Sequence, residues 1–319
     1  MEEENKYYYT PLPEPIPITE QAWPEGTLPL VHTRTMTYMH ENFIRECIEG
    51  ILMQKTTFPV QVLIHDDAST DNTAEIVREY ELKYPRLIKA YYQKENSYTK
   101  PDKRKRRADF SSWRIGKYEA LCEGDDYWTD PMKLQKQVDF LEGNEKYVMC
   151  FHKIYADWSG KLTDDESIER RYQAVIDKKM ITINDLLKIG NFIHTCSVVF
   201  RNQLIKFPFE MEYSPVGDYF LFILLSEKGY LYRLDDYMGI YRRGVGTYSS
   251  LEPQEMHRKI VQYHIAILSY LTNDVHKKIF LPKTLVALDN LVSVLKPVKQ
   301  KKRNVFQLIP SIIRRLFYA

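Results

Sequence analysis

From residue 27 the sequence alternates between two hydrophobic periods, and this alternation limits the fold more than any other feature. "LPLVHTRTMTY", "FPVQVLIH", "RLIKAYYQ" and "KYEALCEG" read as strands. Between and after them, "ENFIRECIEGILMQ", "NTAEIVREYELKY" and "DPMKLQKQVDFLEG" repeat apolar residues at helical spacing. In the first of these, Phe43, Ile44, Cys47, Ile48, Ile51 and Leu52 fall on one face. In the second, Asn72 is placed to cap and Glu75 to answer it. The third has Asp at the cap and Pro in the first turn. Strands alternating with helices predict an α/β chain, a sheet with parallel strands and helices on its faces. Ligands collect at the carboxyl ends of such strands, where strand order switches.

Two acidic clusters fall at predicted strand ends. "VLIHDDASTDNT" places Asp66 and Asp67 side by side after an apolar run. Adjacent carboxylates repel, so such a pair is solvated, binds a positive group or hydrogen-bonds a ligand. Turn and capping chemistry alone also accounts for this composition. The second cluster, "EGDDYW", carries Glu123, Asp125 and Asp126 around a glycine turn. Carboxylates on a tight turn suit Mg²⁺ or Mn²⁺, with a diphosphate completing the metal's shell. An acidic surface turn is the plainer alternative.

At 319 residues, with 44% hydrophobic and 28% charged residues, the composition is that of a globular protein. No apolar run reaches membrane-spanning length, and "MEEENKYYYT" lacks the apolar core of a secretory signal. Cys47, Cys122, Cys150 and Cys196 form no CxxC pair and read as buried thiols, so a cytoplasmic location is expected. Residues 1–26, rich in Pro and Glu, read as a flexible arm, and 27–250 as the main domain. Residues 251–319 read as helical, ending in a basic amphipathic tail. The net charge of +2 hides an asymmetry: residues 296–319 hold seven Lys and Arg and no acid. Pro310 interrupts that tail, which suits either an anionic membrane face or packing against the rest of the chain. "KRKRR", residues 103–107, reads as a solvated loop, and no nucleic-acid partner is expected.

"TYMHENFIRECIEGILMQKTTFPVQVLIHDDASTDNT" followed by "GKYEALCEGDDYWTDPMKLQKQVDFLE" resembles the family-2 glycosyltransferases of GT-A fold. The likeness is dense over residues 30–150 and thinner over 194–250. It implies a GT-A-like (Rossmann-type) mixed, mostly parallel sheet flanked by helices, with a helical C-terminal extension. It also implies a nucleotide-sugar donor, UDP foremost, an inverting transfer, a Mn²⁺ or Mg²⁺ cofactor and a glycan or lipid-linked acceptor in surface polysaccharide synthesis.

The matched positions take roles by this resemblance. Thr37 and Tyr38 match the segment packed near the base, and Asp67 the carboxylate that receives its hydrogen bond. Asp125 and Asp126 match the ribose- and metal-binding Asp-X-Asp region, whose first position is here Glu123. Asp218, opening an apolar helical run, is an N-cap by its residues alone and the catalytic base by resemblance. Arg242 and Arg243 in "YRRGVGTYSS" match the loop that reaches the diphosphate. The sequence departs from the pattern at Met39, where Asn is common, and in lacking a His in that loop. A nucleotidyltransferase would need a Gly-rich loop after the first strand, and "HTRTMTYMHENF" has no glycine. A catalytically impaired nucleotide-sugar or glycan-binding module is the remaining alternative.

Overall fold

The computed structural model describes residues 7, 9–98, 100, 108–246 and 251–295. They divide into two compact units, residues 1–205 with 224–246, and residues 206–223 with 247–319. The basic tail 296–319, "KRKRR" and positions 247–250 lie outside the described residues.

In the first unit the strands are β1 (Ile16–Pro17), β2 (Val31–Thr37), β3 (Lys55–Thr56), β4 (Val60–Asp66), β5 (Ile88–Tyr92) and β6 (Tyr118–Leu121). They continue as β7 (Tyr127–Trp128), β8 (Tyr147–Trp158), β9 (Lys161–Asp164), β10 (Val199–Arg201) and β11 (Tyr230–Arg242). The principal sheet runs β5-β4-β2-β6-β10-β8-β11-β7, with β9 paired to β8. β5, β4, β2 and β6 are mutually parallel, and β11 is parallel to β8. β10 is antiparallel to both β6 and β8. Parallel neighbours need crossovers. These are α1 (Ile44–Leu52) between β2 and β4, and α2 (Thr73–Lys83) between β4 and β5. The chain thus moves outward from β2 to β5 and then returns to lay β6 on β2's other side. That reversal makes the end of β2 the switch point of the sheet.

The expected face of α1 is buried at Ile44, Cys47, Ile48, Ile51 and Leu52. Gly50 on this helix meets β7 closely: a β-carbon there would stand 2.7 Å from the Trp128 carbonyl oxygen. All four cysteines are buried and free. Short helices α3 (Ala108–Ser112), α5 (Glu166–Tyr172) and α6 (Ile183–Ile189) flank α4 (Lys133–Glu142) in chain order.

Three local expectations are corrected. Residues 9–26 are not a loose arm: Ile16 pairs with Thr56, Ile18 is buried, and Tyr7 just before them donates to the Ile115 carbonyl at 2.7 Å. Burial of these apolar side chains outweighs the disorder signal of the prolines. Asn72 makes no side-chain cap; Glu41 draws its amide away at 2.9 Å, while Asp71 accepts from the Thr73 N–H. In the third helix, α4 begins at Lys133, and Asp130 closes the preceding turn by accepting from Met132 N at 2.7 Å.

Lys133 is fully buried with no hydrogen-bond partner for Nζ, which lies 3.9 Å from the Trp128 ring centroid. Burial pushes its pKa down from 10.5 to about 7, with Cys122, Cys150 and Cys196 around it. Between these values the unfolded chain holds a proton that the folded chain has released, so stability rises with pH through that window. Lys133→Met is therefore expected to be more stable than the parent at pH 6.5, by on the order of a few kcal/mol. The margin should shrink toward pH 10. Urea midpoints at both pH values check this, and a pH-independent margin would assign the titration elsewhere.

The second unit holds α8 (Pro253–Tyr270) and α9 (Asp274–Val294), as the apolar spacing predicts. They pack around Val261, Ala287 and Leu291. Pro253 opens α8, and Asn273 caps α9 by accepting from Val275 N at 2.8 Å. A further helix, α7 (Asp218–Ser226), starts in this unit and ends in the first. Among the described residues no helix is long and apolar enough to cross a membrane.

Candidate active site

Both acidic loops are fastened to the last residues of β2. Asp67 N donates to the Thr37 carbonyl at 2.9 Å, and Gly124 N donates to the Met36 carbonyl at 3.0 Å. The clusters that follow β4 and β6 therefore flank one strand end. Gly124 makes the approach possible. A β-carbon there would lie 2.6 Å from Thr37 Oγ1 and 2.7 Å from His40 Nδ1.

Asp66 and Asp67 avoid repulsion by turning different ways, as successive residues at a strand end do. Asp66 stays in the sheet opposite Thr37, accepting from Ser69 N at 3.1 Å; its Oδ1 is buried without a partner, and burial raises its pKa. Asp67 turns into the loop, where its Oδ1 accepts from Ser97 N at 2.9 Å and Ser97 Oγ at 2.7 Å. Asn96 also holds the Asp67 carbonyl, at 3.2 Å. Tyr38 stands at the rim, 41% exposed. Met39 beside it takes a left-handed φ of 59°, with its N–H donating to Ser69 Oγ.

In the second loop Asp126 is wholly buried. Its Oδ1 accepts from Arg242 N at 2.9 Å, and its Oδ2 has no hydrogen-bond partner. Burial, then the neighbouring Asp125 and Glu123, push its pKa well up. Asp125 Oδ2 lies 3.9 Å from His40 Nε2, and His40 Nδ1 is 3.1 Å from Thr37 Oγ1. Burial lowers the His40 pKa against the pull of Asp125.

Arg242 and Arg243 diverge. Arg242 is buried: it donates to the Asp125 carbonyl at 2.6 Å, pairs with Glu46, and lies 4.5 Å from the Tyr127 ring centroid. In this arrangement it braces the acidic loop. Arg243 is a quarter exposed and pairs with Asp165, which also bonds His194 Nε2 at 3.0 Å. Burial alone would raise the Asp165 pKa, but His194, Ser167 and Arg243 hold it far below the usual carboxylate range.

The donor set fits a divalent ion of magnesium type. Among the described residues no group of three or more His, Cys, Asp or Glu is arranged to hold a metal. Magnesium needs only one or two protein carboxylates when a substrate phosphate completes its shell. Asp125 and Asp126 would supply two, and a cation there would relieve the buried Asp126 Oδ2 beside its like-charged neighbours.

Thr37, Tyr38, Asp67, Asp125, Asp126, Arg242 and Arg243 all belong to the first unit, and Asp218 to the second. Asp218 is the first residue of α7, half-buried, with Oδ1 accepting from Tyr219 N at 2.7 Å. Sequence reasoning missed His40, Ser97, Glu46 and Asp165. Only His40 carried a signal, its place two residues after Tyr38.

Residues 35–207, more than half of the chain, match the family described as glycosyl transferase family 2. The uncharacterized protein Rv1520 of Mycobacterium tuberculosis is 35% identical over 209 residues, 66% of this chain and 57% of that protein. The chain thus spans little more than half the length of that relative. Among solved structures, S. aureus TarS 1-349 in complex with UDP-GlcNAc superposes with a TM-score of 0.62 at 18% identity, over 90% of this chain and 81% of that one. The mannosyltransferase PcManGT from Pyrobaculum calidifontis, in complex with GDP-Man and Mn²⁺, gives 0.54 at 15% identity, over 94% and 85%. The mixed sheet with helical flanks and C-terminal helices is the GT-A-like fold that the resemblance implied. With its sheet, its paired acidic loops and that match in agreement, the chain belongs to glycosyl transferase family 2.

Proposed function

We propose that the chain transfers a sugar from a nucleotide-diphosphate donor, a UDP-sugar foremost, to a hydroxyl of a glycan or lipid-linked acceptor, with inversion. The observation that carries this reading is the fastening of both acidic loops to the end of β2. UDP-GlcNAc in TarS, and GDP-Man with Mn²⁺ in PcManGT, support the donor class and the cofactor. In this reading the exposed Tyr38 ring stacks on the base beside Thr37, and Asp67 accepts from the base's N–H. Asp125 takes a ribose hydroxyl and, with Asp126, would hold Mn²⁺ or Mg²⁺. That ion, when bound, would neutralise charge growing on the departing diphosphate.

Arg243 is the cation assigned to the diphosphate, exchanging Asp165 for phosphate oxygens, while Arg242 keeps the loop in place. Asp218 takes the proton of the acceptor hydroxyl as the new bond to the anomeric carbon forms and the bond to the diphosphate oxygen breaks. The acceptor's setting is surface polysaccharide synthesis at the cytoplasmic face of the membrane, with residues 296–319 on anionic lipid.

A donor that binds the folded chain stabilises it by about 2.7 kcal/mol at a hundredfold excess over Kd. A thermal-shift screen of nucleotide sugars should therefore show a Mn²⁺-dependent rise with at least one UDP-sugar. Release of nucleoside diphosphate on adding an acceptor separates an enzyme from a binding module. Saturable binding with no release would sink the catalytic reading. Release that anionic vesicles leave unchanged, in the full chain and in one ending at Leu295, would sink the membrane part.

A further inference from the structure

Trp158 ends β8 with 56% of its surface exposed, although an indole gains from burial. β8 and β11 run parallel with Asp157 opposite Arg242. The next residue, Arg243, therefore lies beside Trp158, its guanidinium 5.7 Å from the ring centroid. The same guanidinium is 5.0 Å from the Tyr241 ring centroid. Tyr241 adjoins the acidic loop: burial, then Asp126 and Glu123, raise its hydroxyl pKa. The Arg242 N–H between Tyr241 and Arg243 is bonded to Asp126 itself. Trp158, Arg243 and Tyr241 thus stand together at the ends of β8 and β11, next to the bond from Arg242 N to the buried Asp126.

We propose that Trp158 is a stacking platform for the acceptor, holding the pyranose ring of a glycan with a hydroxyl turned toward the acidic loops. This inference rests on the glycosyl-transfer reading and adds a specificity-determining residue to it. A pyranose has hydroxyls at its edge and C–H groups on its faces, and such a face suits the electron-rich face of an indole. The chain neighbours of Trp158 are Asp157, Ser159, Gly160 and Lys161, and Arg243 lies across from it. Among the described residues, the polar and charged groups bordering the ring match a sugar better than an apolar protein surface, which needs a contiguous patch. The position is also right. The acceptor hydroxyl must reach the anomeric carbon, which is bonded to the diphosphate assigned to Arg243. A sugar resting beside that guanidinium is held next to the group assigned to the departing diphosphate, which brings the two substrates together.

Two measurements test the platform. The full chain, labelled with 5-fluorotryptophan, should show four fluorine signals, for Trp23, Trp113, Trp128 and Trp158. Trp158→Phe identifies the last by its loss. Titration with maltose, cellobiose and diacetylchitobiose should move the Trp158 signal with at least one of them and leave the other three in place. No movement with any overturns the platform. In steady-state assays Trp158→Ala should raise the KM of the responding disaccharide tenfold or more. Trp158→Phe should recover most of that loss, and release of nucleoside diphosphate to water should change less than threefold. An unchanged acceptor KM overturns the inference while leaving glycosyl transfer intact, and weakened UDP binding in Trp158→Ala overturns it in favour of a base-stacking role. If the parent chain neither binds nor cleaves any nucleotide sugar, the transfer reading itself fails, and the fluorine titration alone still decides whether Trp158 holds a sugar.

Discussion

Asp218→Asn is expected to lower kcat on the order of a hundredfold or more while leaving donor affinity nearly unchanged. The substitution keeps an oxygen that can accept from Tyr219 N, a bond of 2.7 Å in the parent, so α7 should still start at the same residue. What it removes is the ability to take a proton. Single-turnover rates at saturating donor would isolate the chemical step. Undiminished turnover removes Asp218 from the mechanism.

The second large effect is expected at Asp126, where two substitutions separate charge from architecture. Asp126→Ala deletes both the carboxylate and the acceptor for Arg242 N, leaving a buried N–H unsatisfied at a cost of about 1–3 kcal/mol. Asp126→Asn retains an acceptor oxygen and removes only the charge. Because burial and like charges already disfavour that charge, the Asn variant should fold at least as stably as the parent without metal. Both variants should lose the Mn²⁺-dependent part of nucleotide-sugar affinity, by roughly ten- to a hundredfold. Calorimetric titration of donor with and without Mn²⁺ measures this. A full Mn²⁺ effect in Asp126→Asn would show that Asp126 holds the loop and not the ion.

Much of the framework was legible in the residues because helix and strand signals are local. The α1 face from Ile44 to Leu52 follows from a period of 3.6, and β4 from an apolar run ending in Asp66. The burial of the cysteines and the helical C-terminal region follow from composition and spacing in the same way. Capping was less legible. Asn72 and Asp130 sit at the right places, yet Glu41 takes the first and the turn before α4 uses the second. A cap depends on which partner reaches the side chain, and Glu41 arrives from another element.

By itself the sequence determined that the chain builds an α/β sheet and that carboxylates stand at the ends of β4 and β6. Tertiary structure alone decided that those two ends flank β2, because strand order is set by closing long loops against the whole sheet. It also decided the fates of the two adjacent arginines, Arg242 bracing Asp125 and Asp126 from far along the chain while Arg243 meets Asp165 and Trp158. Neighbours in sequence share a local pattern, but β11 ends at Arg242, and the two side chains meet partners that come from distant segments.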